Sequence, residues 1–169
     1  MQKAIVQKYS TTLHRVTLIV NGRYRTIREV AAAIGVNMPP RKGFVFLGQN
    51  NTIALCCVQI EGKTKWENEL SADEVTLIER NTGDKTPAMF QKRVCGNHNY
   101  SVNTLRLIFV KEKGFYRYIG VFRVAAFDFD AKHVVMKKDY GAQLKVKVAT
   151  RKTVTIVTEE TSIEIDANN

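Results

Sequence analysis

The chain has 169 residues and a formal net charge of +10, which suits one domain with a real buried core. No apolar run approaches the ~20 residues that cross a bilayer, and the N-terminus lacks a signal-peptide core, so an intracellular protein without membrane attachment is expected. Three cysteines, two of them adjacent, make no disulfide framework, and a pI near 9.7 points to an acidic partner, nucleic acid first.

The charge is uneven along the chain. Residues 1–48 carry eight bases and one acid, residues 49–90 four bases and seven acids, residues 91–152 fourteen bases and four acids, and residues 153–169 four acids and no base. An acidic middle between basic blocks suggests a pocket or loop set within a polyanion-binding face.

In chain order, residues 1–25 read as extended, with a β-branched run from Val16 to Val20 and a tight turn at Asn21-Gly22. A helix follows: Thr26 caps it, Glu29 stands three residues on, and Ile27, Val30, Ala31 and Ile34 recur at helical spacing until Gly35. Pro39-Pro40-Arg41-Lys42-Gly43 reads as a basic loop. It sets an N-terminal extension, 1–42, apart from a main domain over 43–158, with an acidic tail over 159–169 whose end is expected to fray.

The main domain reads as short strands between turns: 43–47, 52–60, 74–78, 105–111, 116–127, 133–139, 144–149 and 154–158. A helix or loop is expected within 85–102. Thr104 to Val124 is the centre of the pattern, two apolar runs reversing at Lys111-Glu112-Lys113-Gly114. Many strands and few helices predict an α+β, mainly β fold, a curved sheet or partly open barrel with one or two flanking helices.

Four groups of residues bear on chemistry. Glu61-Gly62-Lys63 and Asp130-Ala131-Lys132 match the carboxylate–x–lysine tripeptide of metal-dependent nucleases, and Asp128 alternates with Asp130. Chance yields about one such match in a chain so rich in acids and lysines. Cys95 and His98 are two zinc-competent side chains, short of the roughly four a structural site needs; His14 and His133 have no fitting companions. No catalytic residue, metal ligand or cofactor is therefore assigned. The segment with Lys92, Arg93, Asn97, His98 and Asn99 carries the side chains that contact phosphates and base edges, or else forms an ordinary polar loop. Trp66, the only tryptophan, stands beside Glu67, Asn68 and Glu69: a stacking face next to groups that bond a base edge, or a core residue beside solvated acids.

In order, these pieces resemble the SRA (SET- and RING-associated) domain, a PUA-related barrel that reads modified cytosine. Phe115-Tyr116-Arg117-Tyr118-Ile119-Gly120-Val121-Phe122-Arg123-Val124 is similar to that family's Gly-Tyr-Arg-Tyr-Asp-Gly-Leu-Tyr-Arg-Val strand, and Leu105-Arg106-Leu107-Ile108 to the Val-Arg-Val-Ile run before it. Trp66-Glu67-Asn68-Glu69 looks like the pocket motif Tyr-Glu-Asp-Asp, and Ile78-Glu79 falls where the family has Tyr-Thr. Gln91 and Asn97 match a further Gln and Asn segment. Ile119 departs from the Asp of the strand motif, and Ile78 from a stacking tyrosine. The resemblance spans about residues 44–140.

It implies a non-catalytic module for duplex DNA that flips a methylated or hydroxymethylated cytosine into a pocket. Trp66 would stack and Glu69 would accept from the exocyclic amine, with Asn68 and Glu79 beside them. Lys92, Arg93, Asn97, His98 and Asn99 would enter a groove, and Lys111, Lys113, Arg117 and Arg123 would meet phosphates. A nuclease partner or domain, as in a modification-dependent restriction system, would supply cleavage. The alternatives are a PUA-like binder of RNA or single strands and a small nuclease using Asp128, Asp130 and Lys132.

Overall fold

The computed structural model describes residues 13–36, 43–47, 51–60, 65–140, 146–148, 152–156 and 160–166. In chain order these form β1 (Leu13–Ile19), β2 (Arg23–Tyr24), α1 (Ile27–Ile34), β3 (Phe44–Phe46), β4 (Ile53–Gln59), β5 (Trp66–Leu70) and β6 (Thr76–Asn81). Then come α2 (Pro87–Val94), β7 (Leu105–Glu112), β8 (Phe115–Asp128), β9 (His133–Lys138), β10 (Val146–Val148), β11 (Lys152–Ile156) and β12 (Glu160–Asp166). The fold is α+β, mainly β, as the sequence predicts: an open, mixed, curved sheet with two helices.

The larger sheet has the order β3-β4-β7-β8-β9-β6-β5, with β2 added on β8. All its pairs are antiparallel except β4 with β7. A second sheet runs β1-β12-β11-β10. The expected fraying of the acidic end does not occur: Ser162-Ile163-Glu164-Ile165 alternates as a strand should and lies antiparallel to β1.

Local chemistry accounts for the elements. The Thr26 side chain accepts from the Glu29 backbone N–H, and Gly35 closes α1 by donating to the carbonyls of Ala31 and Ala32. Thr86 caps α2 in the same way, accepting from Met89 N–H, with Pro87 in the first turn where a missing N–H costs nothing. The expected helix or loop over 85–102 is thus an eight-residue helix followed by a 3-10 turn at His98–Tyr100. β7 and β8 reverse through Lys113 and Gly114, both at positive φ (49° and 91°), the backbone that a two-residue hairpin turn requires.

β7 is buried on both faces, which splits the core in two. Leu105, Leu107 and Phe109 pack with Leu18, Val30, Ile34, Leu55 and Tyr118. Ile108 and Val110 pack on the other side with Phe90, Val94, Phe122, Val134 and Met136. Between Ile108 and Phe109 the pairing slips by one residue; Gly120 at φ +115° takes up that irregularity. The one charged side chain on the buried stretch of β7 is Arg106. It belongs to the α2 side.

Candidate functional site

On the α2 side a cavity of about 890 Å³ opens between β3–β4, β5–β6 and the turn after α2. Its size falls within the roughly 300–1,000 Å³ of small-molecule sites. Phe44, Cys56, Val58 and Gln59 line one wall, Trp66, Asn68, Glu79 and Asn81 another, and Arg93, Asn97, Asn99 and Tyr100 a third; Arg106 also lines it.

Strand period decides which residues enter. On β5, Trp66, Asn68 and Leu70 are partly buried while Glu67 and Glu69 are exposed. Cross-strand pairing sets Trp66 opposite Asn81 and Asn68 opposite Glu79, so those four share the cavity face. Glu69 pairs with Ile78 on the other face, in a surface hollow with Glu67, Arg80 and His133. The structure therefore brings Trp66, Asn68 and Glu79 together and leaves Glu69 outside.

The electrostatics are those of a dry, polar site. Burial pushes the Glu79 carboxyl above the usual carboxylate range, against the downward pull of the Arg106 guanidinium. Burial, with the nearby Glu79 charge, pushes the Tyr100 hydroxyl up to about 12. The Trp66 ring lies 6.2 Å from that of Tyr100, tilted by 30°, and 6.5 Å from Phe90 edge-on. Asn68 Nδ2 donates to the Gln59 carbonyl at 2.9 Å, while its buried Oδ1 has no hydrogen-bond partner.

Arg106 was not singled out by residue type alone, yet it is only 4% exposed. One Nη donates to the Asn99 carbonyl and the other approaches Cys56 Sγ at 4.0 Å. Its guanidinium carbon sits 5.3 Å from the Phe44 ring centre, and its Nε–H has no partner. Burial holds the Cys56 thiol at about 12 despite this cation.

Arg93 lines the cavity but is committed. Its Nε and Nη2 donate to the two carboxylate oxygens of buried Asp84, both at 2.7 Å, a bidentate pair that holds the Asp84 carboxyl below its ordinary range. The loop between β6 and α2 is further tied by Asn81 Oδ1, which accepts from the N–H groups of Gly83 and Asp84. Asn97 caps the 3-10 turn by accepting from Asn99 N–H at 3.0 Å, and Lys92 and His98 are exposed beside it.

The remaining sequence candidates lie elsewhere. Arg117 donates to both carboxylate oxygens of Glu74 and to Asn21 Oδ1, with Glu112 Oε2 at 3.6 Å. Arg123 Nε donates to Asp139 Oδ2 at 2.7 Å. Lys111 Nζ stands 5.6 Å from the Tyr116 ring centre, and Lys113 is exposed at the hairpin tip. For the nuclease alternative, Asp128 Oδ1 accepts from Ala131 N–H, and Lys132 Nζ donates to the Asp84 carbonyl at 2.7 Å. Glu61-Gly62-Lys63 lies outside the described residues. Among the described residues no group of three or more His, Cys, Asp or Glu stands ready to hold a metal ion.

The architecture is shared with a solved structure, that of the 5-hydroxymethylcytosine-specific restriction enzyme AbaSI. The two superpose with a TM-score of 0.61 at 15% sequence identity, over 89% of this chain and 44% of that one. The chain thus spans less than half the length of that enzyme, and the likeness is one of fold. No protein-family model and no curated protein matches the sequence.

Proposed function

We propose that the chain is a DNA-binding module that takes a methylated or hydroxymethylated cytosine, extruded from the duplex, into the cavity beside α2. The observation that carries this reading is the convergence of Trp66, Asn68 and Glu79 on one strand-pair face lining a cavity of about 890 Å³. Trp66 supplies a face for the base, Asn68 Oδ1 a buried acceptor for the cytosine amine, and Glu79 a carboxyl whose proton is held above the usual range. Glu79, not Glu69, is the edge-reading carboxyl in this arrangement. The net charge of +10 supplies affinity for the phosphate backbone, and the pocket supplies discrimination.

The fold shared with part of a restriction enzyme supports a role as the recognition part of a modification-dependent restriction system, beside a nuclease partner or domain. Competition among hydroxymethylated duplex, methylated duplex, unmodified duplex and matched RNA tests the reading, run by fluorescence anisotropy at one salt concentration. A preference for a modified duplex that Trp66→Ala and Asn68→Ala abolish is expected. Equal binding to modified and unmodified duplexes, or tighter binding to RNA, would refute it.

A further inference from the structure

Three buried side-chain polar atoms lack hydrogen-bond partners among the described residues, and two of them, Asn68 Oδ1 and Arg106 Nε, belong to residues that line the same cavity. Unpaired polar atoms in a folded core each cost about 1–3 kcal/mol, so two of opposite polarity in one cavity call for a ligand with both a donor and an acceptor. Arg106 is also fixed more firmly than an ion-pairing surface arginine. The Asn99 carbonyl, the Cys56 sulfur and the Phe44 ring hold its guanidinium and leave Nε–H unused.

We propose that Arg106 is a specificity-determining residue of the cavity, donating its Nε–H to ring N3 of the cytosine whose 4-amino group Asn68 Oδ1 accepts. This rests on the base-pocket reading above and adds to it a residue and an atom. Cytosine presents the donor and the acceptor side by side on its Watson–Crick edge. Thymine and uracil present a carbonyl at position 4 and an N–H at position 3, so both contacts would be reversed. The pair therefore selects cytosine over the other pyrimidines, whatever stands at position 5.

The test places 5-hydroxymethylcytosine, or its 3-deaza analogue in which N3 is replaced by C–H, opposite an abasic site, so that loss of base pairing does not enter. Wild type should bind the 3-deaza duplex about 10–100-fold more weakly. In Arg106→Lys and Arg106→Gln, checked for folding by circular dichroism, that ratio should fall toward one. Equal wild-type affinity for the two duplexes overturns the assignment whether or not the variants fold. So does an undiminished ratio in a folded variant.

A parallel pair, hydroxymethylated and unmodified cytosine opposite guanine, separates the two levels. If the preference for the modified base stands while the 3-deaza ratio is one, only the role of Arg106 falls. If wild type shows no preference in that pair, the base-pocket reading itself falls.

Discussion

Replacing Arg93 with alanine separates a structural role from a phosphate contact. Two charge-assisted hydrogen bonds to Asp84, at roughly 1.5–3 kcal/mol each, set a ceiling of about 3–6 kcal/mol. Half of the arginine side chain is in solvent (51% exposed) against 3% for Asp84, and screening on that open side brings the net loss to about 2 kcal/mol. For a chain of this size that is a fall of about 4–8 °C in Tm.

The loss should depend on pH. Asp84 has its carboxyl held below the ordinary range in the fold, so the stability it contributes is present above the unfolded pKa and disappears as pH falls through the lower folded one. Thermal unfolding followed by circular dichroism at pH 7 and at decreasing pH should show the gap between wild type and Arg93→Ala closing on acidification. An unchanged Tm at pH 7, together with weakened DNA binding, would show that Arg93 serves phosphate and that its pairing with Asp84 is incidental.

Glu79→Gln should act with the opposite sign. The Glu79 carboxyl is raised in the fold, so its favourable contribution is complete below the unfolded pKa and is lost as pH rises through the folded one; urea unfolding should find the variant gaining on wild type from pH 4 to 7. Arg117→Met removes a side chain only 16% exposed and paired with Glu74, and should cost about 2–3 kcal/mol in urea unfolding while leaving the salt dependence of DNA binding unchanged. A maleimide reagent at neutral pH should label exposed Cys95 in the native protein and spare Cys56 and Cys57, whose thiols burial holds at about 12; three labels without denaturant would contradict the packing of β4.

Elements with a local cause were legible in the sequence. The Thr26 cap and Gly35 stop delimit α1, and the reversal at Lys113-Gly114 joins β7 to β8, because capping and turn chemistry act over a few residues. β5 was not marked as a strand, since Trp-Glu-Asn-Glu-Leu has two acids and an amide among five residues; its pairing with β6 imposes the strand. Once the strand is granted, the period of two sends Glu69 away from Trp66 and brings Asn68 and Glu79 together. Arg117 and Arg123 read as phosphate contacts because their acids are remote in sequence: Glu74 is 43 residues from Arg117 and Asp139 is 16 from Arg123. Arg106 did leave a signal, a lone charge in the apolar run Leu105 to Val110; such a charge must find partners inside the fold.

The most direct measurement is whether a base leaves the helix. A 2-aminopurine placed next to a hydroxymethylated cytosine reports loss of stacking as a rise in fluorescence. Saturation with wild type should raise the signal several-fold on the modified duplex, with a smaller rise on the unmodified one and on the modified duplex bound by Trp66→Ala. Saturated binding with no change in fluorescence would mean that the cytosine stays in the stack and that the cavity lined by Trp66, Asn68 and Glu79 takes something else.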